Sequence, residues 1–343
     1  MYSELEKKQF MIFVIVAYGI TYVLGLVMWY GNTAGIDLSA FPNAQMLYPA
    51  AGVMLAFLLT KKEDVRMPKG FYRCFLLITA AAIVIAVLSV VSPNTTVEMQ
   101  GGTVSIWILL VQLVLIGGSV LCWIFILSAG KKRREAYGLR WKNWKISLLC
   151  ILLFLLLYSA RTAAAYILAG QGSAIFDIFV SPLTWRYLSM MPINFFLSFV
   201  AFFGEEYGWR YYLQPFLQKK FGLRRGVLVL GVVWGFWHLP VDFFYYVTPD
   251  MGVIMTVSQI ITCVCLGIFF AYAYMKTGNI WVPVAIHFLN NNLAPVITGT
   301  YSADVLQNQS VSWRDLPSAL LINGICFGLF LLAKPFRKSK ENI

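Results

Sequence analysis

The chain has 343 residues, of which 59% are hydrophobic and 12% charged, and its net charge is +12. A soluble domain carries about 25% charged residues, so an ordinary soluble enzyme, a disordered chain and a disulfide scaffold are excluded and an integral membrane protein remains. The apolar residues run in long blocks rather than in ~10-residue alternating strands, which calls for helices and not a β-barrel.

Taken in chain order, ten segments read as helices: 10–31, 46–60, 71–92, 106–127, 146–170, 187–218, 227–247, 253–275, 280–297 and 319–333. The expected fold is all-α, a polytopic transmembrane bundle of about ten helices. The first segment follows Glu4, Glu6, Lys7 and Lys8. It is too long for a signal-peptide core and lacks a small-residue cleavage site, so it reads as an anchor. The second and last segments are short for a span. The sixth ends in polar sequence, so its last turns are expected to leave the bilayer. The stretch 128–145 mixes basic residues with Tyr137, Trp141 and Trp144, as an interfacial segment does.

Most of the 27 basic residues fall in alternate loops: around Lys61–Lys69, Lys131–Lys145, Lys219–Arg225 and Lys276, and at both ends of the chain. The intervening loops hold only Arg186 and Arg314. By the positive-inside rule both termini are expected in the cytoplasm. The basic charge is therefore a topology signal, the bilayer is the partner it implies, and nucleic acid is not expected as one. The six cysteines lie in apolar segments without metal-ligand spacing and read as small buried or lipid-facing residues.

Ionisable groups inside a bilayer are costly and mark function. Here they are few: Arg161, Glu205, Glu206, Arg210 and Asp242, with the chain's only two histidines, His238 and His287. Glu206 and Arg210 stand i, i+4 in the favourable order, so they are expected to pair and leave Glu205 on a neighbouring face as a candidate general base. Trp234 and His238 share a face at i, i+4, as do His287 and Asn291. Asp242 lies one turn beyond His238 and could orient it, or pair with Arg161 across helices. Counted from the basic loops at 1.5 Å per residue, Glu205 and His238 lie ~20 Å deep and His287 ~15 Å. The three are expected to meet in the central to cytoplasmic part of the membrane.

These residues resemble the CPBP family of intramembrane proteases, which includes CAAX proteases and bacteriocin-processing (Abi) proteins. Its Glu-Glu-x-x-x-Arg motif is matched by Glu205, Glu206 and Arg210, its aromatic-x-x-x-His motif by Trp234 and His238, and its His-x-x-x-Asn motif by His287 and Asn291. Phenylalanine is commoner where Trp234 stands. The resemblance covers about 190–297 and divides the chain into N-terminal helices (1–185), a catalytic core (186–300) and a loop, last helix and basic tail (301–343). It implies hydrolysis of a peptide bond in a membrane-associated peptide or protein. Glu205 would activate water with help from His238. His287 and Asn291 would form an oxyanion hole, with Glu206, Arg210, Trp234 and Asp242 supporting the site. A metal-free glutamate mechanism without cofactor is expected. The alternative is zinc on Glu205, His238 and His287. Short loops point to the bacterial branch, and so to the bacterial cytoplasmic membrane and to peptide processing or bacteriocin self-immunity. Two other classes compete: a non-catalytic peptide-binding immunity or scaffold protein, and a proton-coupled transporter. The transporter would spread charges over both halves, whereas Arg161 is the only one within a helix before Glu205.

Overall fold

The computed structural model describes residues 2–99, 102–301 and 306–337. Lys338 and Lys340 of the basic tail lie outside the described residues. The chain forms a helical bundle. Among the described residues seven helices are long and apolar enough to cross a membrane: α1 (Glu4–Thr33), α2 (Ala40–Thr60), α3 (Lys69–Val91), α4 (Ile106–Ser128), α6 (Trp144–Leu168), α8 (Pro182–Phe221) and α11 (Pro249–Thr277). Two further helices, α9 (Leu223–Trp237) and α10 (Leu239–Tyr246), together have the length and composition of a span and are bent by 43° where they meet, as in a broken span or a re-entrant loop. Shorter helices are α5 (Gly130–Ala136), α7 (Gly172–Val180), α12 (Trp281–Asn292), α13 (Ala294–Thr298) and α14 (Leu316–Cys326).

Three differences from the sequence reading have local causes. The second helix is longer than expected because its first turns begin at Ala40, before the apolar run. The seventh is not straight, because Pro240 supplies no N–H and breaks the ladder next to His238. The ninth splits at Leu293, just ahead of Pro295. Among the described residues the only strands are a two-stranded hairpin, β1 (Thr96–Met99) and β2 (Gly102–Ser105), in the loop between α3 and α4.

Large apolar side chains on the outer surface, such as Leu113, Leu121, Ile124, Leu127 and Leu156, are exposed, as a lipid-facing surface requires. The interior is aromatic. Phe203 stacks on Tyr207, which stacks on Tyr211, and Tyr207 shares a hydrogen bond of 2.6 Å with Tyr72. On the basic face, Asp64 in the α2–α3 loop accepts from Arg66 and from the Tyr137 hydroxyl at 3.0 Å. The hydrogen-bonded Arg66 guanidinium is the main cause that holds the Asp64 carboxyl down to about 2.

Two contacts set the height of the helices that carry the chemistry. Asn279 donates to the Lys142 carbonyl at 3.0 Å and to Ser147 Oγ at 3.1 Å, which pins the α11–α12 turn to the start of α6. Gly204 and Gly208 then let α8 touch the backbone of α2. A Cβ at Gly204 would stand 2.9 Å from Leu47 Cα and still closer to the Met46 carbonyl, and one at Gly208 would meet Pro49. Backbone cannot yield as a side chain can. Gly204→Ala is therefore expected to destabilise the protein by about 1–3 kcal/mol, read as a lower thermal midpoint in detergent. An unchanged midpoint would mean that α2 and α8 do not pack this closely.

Candidate active site

Glu205 and Glu206 end the regular part of α8, and a π-helical segment, Tyr207–Leu213, follows and carries Arg210. Both carboxylates and the guanidinium are buried. The expected Glu206–Arg210 pair is present, with Glu206 Oε2 3.1 Å from Arg210 Nε. The approach has the distance of an ion pair without the directionality of a hydrogen bond. The guanidinium is held by aromatic faces as well, with its central carbon 4.8 Å from the Trp234 ring centroid and 5.2 Å from that of Phe270. Glu206 has a second partner that its sequence neighbours do not reveal: His287 Nδ1, at 2.9 Å from Oε1.

Glu205 is held asymmetrically. Its Oε2 accepts two indole N–H groups, from Trp234 at 2.8 Å and Trp209 at 3.2 Å. Among the described residues no hydrogen bond reaches Oε1, which lies 4.0 Å from His287 Nε2. Trp234 therefore does more than fill the aromatic position of its motif. One face supports Arg210 and its N–H orients Glu205. Trp209, one turn after Glu205, was not singled out in the sequence, although its i+4 spacing was visible there.

The two histidines are fixed in different ways. The His238 side chain meets the Trp234 carbonyl at 2.9 Å through Nδ1. A carbonyl only accepts, so Nδ1 carries the proton and the neutral ring keeps a basic lone pair on Nε2. His287 gives Nδ1–H to the Glu206 carboxylate, so its Nε2 donates only when the ring holds both protons. Asn291 Oδ1 accepts from Asn290 at 3.0 Å, which leaves the Asn291 amide N–H free among the described residues.

A cavity of about 280 Å³ collects these groups. Glu205, Trp234, His238, His287 and Asn291 all line it. Its remaining lining includes Gln45, Tyr246, Leu306 and Gln309. These belong to loops and helix ends opposite the basic loops, so the cavity extends from the buried carboxylates toward that end of the bundle. Depth counted along single helices does not tell which loops close over Glu205, which is a tertiary matter. The segment 306–309 is fastened there by Gln309 N–H to the Tyr246 carbonyl at 2.7 Å and Gln307 to Ser39 Oγ at 2.7 Å.

Asp242 does not take up either expected role. It makes no ion pair with Arg161 among the described residues, and the His238 Nδ1 position is filled by the Trp234 carbonyl. The Asp242 carboxylate is buried and its oxygens have no hydrogen-bond partner among the described residues. Its backbone N–H donates to the His238 carbonyl at 2.9 Å, so the contact between the two is through the main chain. Arg161 lies instead over the Tyr158 ring, 4.4 Å from the centroid. No group of three or more His, Cys, Asp or Glu among the described residues is arranged to hold a metal ion. Glu205 Oε2, His238 Nδ1 and His287 Nδ1 each meet a protein group, which leaves Glu205 Oε1 and the two histidine Nε2 atoms without a hydrogen bond among the described residues.

Residues 187–293 match the family described as type II CAAX prenyl endopeptidase Rce1-like. A 122-residue stretch, 34% of the chain, is 25% identical to CAAX prenyl protease 2 of Methanococcus maripaludis and spans 45% of that relative's length. No solved structure matches the chain significantly. The resemblance to the CPBP family is borne out over the stretch that carries Glu205, His238 and His287.

Proposed function

We propose that this multi-pass membrane protein is an intramembrane endopeptidase that hydrolyses a peptide bond of a membrane-associated peptide or protein. The observation that carries the reading is the Glu205 carboxylate. One oxygen is anchored by two indole N–H groups, and the other is unbonded among the described residues and lines a cavity shared with His238, His287 and Asn291. Water is the co-substrate. Glu205 Oε1 takes its proton, with His238 Nε2 as the second basic atom available. The hydroxide attacks the scissile carbonyl, and the resulting oxyanion is met by Asn291 N–H and by His287 Nε2–H. This step uses His287 with both protons, a form that the Glu206 carboxylate on Nδ1–H favours, while Arg210 pairs with the other oxygen of Glu206. Donors aimed at a developing oxyanion contribute about 3–4 kcal/mol each. The proton taken from water is then delivered to the leaving amine, which separates as the C–N bond breaks.

In this reading no metal takes part. The test is to purify the protein in detergent and incubate it with a library of membrane-anchored peptides, with and without a strong zinc chelator, and to identify products by mass spectrometry. New termini formed in both incubations are expected. Cleavage abolished by chelation and restored by zinc would replace the glutamate mechanism with a metal-dependent one. No product above that of a catalytically silenced variant would remove the peptidase reading.

A further inference from the structure

Arg161 lies on α6, outside the matched residues 187–293, and the reaction above does not use it. It stands 17 residues after Trp144, which opens α6 at the basic face. At 1.5 Å per residue this puts it ~25 Å along the helix. A cation at such a depth is costly unless something of opposite charge or a water-filled space receives it. Among the described residues Arg161 makes no ion pair. It nevertheless lines the cavity that holds Glu205 and His287, and among the described residues it is the only Lys or Arg in that lining.

The guanidinium is also positioned. It lies against the Tyr158 ring, and the Tyr158 hydroxyl donates to the Asn290 carbonyl at 3.4 Å. That carbonyl adjoins Asn291, one helical turn beyond His287, and Arg161 lines the same cavity as both. The one acidic residue in the lining, Glu205, is engaged by Trp209 and Trp234. Among the described residues the cavity therefore presents a positive charge with no protein anion paired to it. A cavity of about 280 Å³ is at the small end of ligand sites and holds only a few residues of a peptide. A guanidinium binds a carboxylate with two parallel N–H donors, a geometry that also sets the register of what it binds.

We infer that Arg161 is the anion subsite of this cavity and receives the C-terminal carboxylate of the bound peptide, fixing which peptide bond lies at Glu205. The inference rests on the peptidase reading for the last step only; carboxylate binding is a property of the cavity itself. Arg161 is thus a specificity residue.

The test measures binding first, in the catalytically silenced Glu205→Gln protein in detergent, so that failure of cleavage does not obscure it. The probes are N-palmitoylated, dansyl-labelled peptides of one sequence with three endings: a free carboxylate, a primary amide, and an amide preceded by Asp. The free-carboxylate probe is expected to bind about tenfold or more tightly than the amide. Arg161→Gln should remove that preference and Arg161→Lys should keep most of it. Equal binding of acid and amide probes, or an equal loss of all three in a folded Arg161→Gln protein, overturns the inference. If the Asp probe regains the preference, the subsite recognises a carboxylate from either source, chain end or side chain. If it does not, the chain end alone is read. In a protein that keeps Glu205, Arg161→Gln is expected to raise KM for free-carboxylate substrates and to spread cleavage over more than one peptide bond, while amide-ended substrates keep their KM. Preference in binding without any cleavage by wild type would keep the subsite and discard the peptidase reading.

Discussion

Glu205→Gln is expected to lower kcat/KM by about 10²–10⁴ while the protein folds normally, which is the usual contribution of a positioned general base. The substitution keeps the shape of the side chain, and its carbonyl oxygen can still accept the indole N–H groups of Trp209 and Trp234. What it removes is the basic oxygen that faces the cavity. Two measurements separate the cases. Product formation from membrane-anchored peptides should fall to background, and the thermal midpoint in detergent should stay within a few degrees of wild type, since no cavity or unpaired charge is created. The Glu206–His287 contact is untouched, so its geometry is not the cause of the loss. A variant that cleaves within a few fold of wild type would take the base role away from Glu205 and leave His238, with its Nδ1 fixed by the Trp234 carbonyl, as the group to test next.

The second large effect falls on stability. Arg210→Met should destabilise the protein by about 3–5 kcal/mol, because it leaves the Glu206 carboxylate buried beside an uncharged side chain. Arg210 and Glu206 are both fully buried, so solvent does not screen the loss. The guanidinium also lies on Trp234, so its removal frees the ring that orients Glu205. The double variant Glu206→Gln/Arg210→Met removes both charges, and it is expected to melt well above the single variant. Its activity should nevertheless stay low, because an uncharged residue 206 no longer favours a doubly protonated His287. Thermal melting of the two proteins checks the first expectation and peptide cleavage the second. A single variant that melts like wild type would show that the buried pair contributes no net stability.

Much of the site could be read without a structure, for a local reason. Glu206 and Arg210 stand one helical turn apart, and so do Trp234 with His238 and His287 with Asn291. Helix geometry alone places each pair on one face. Ionisable groups are so costly in apolar helices that the few present could be found by inspection. The same economy hid the partners that lie across helices. Nothing in the spacing tells that the Trp234 N–H reaches Glu205, or that Glu206 holds His287 as well as Arg210. Asp242 and Arg161 illustrate the converse. Matching depth on two helices made them candidates for a pair, but depth leaves the rotation of each helix and its neighbours undetermined, and the two do not meet.

By itself the sequence determined that the chain is a helical membrane protein, where its long apolar helices run, and which few polar residues lie within them. These follow from hydrophobic block length and from one-turn spacing, which are properties of a single helix. Tertiary structure alone decided which oxygen of Glu205 is free, which proton each histidine keeps, and which loops border the cavity. It also decided that Arg161 borders the cavity rather than pairing with Asp242. Each of these depends on how neighbouring helices are rotated and how closely they approach, as where Gly204 lets α8 touch α2. Such contacts join residues far apart in the chain, and no local periodicity encodes them.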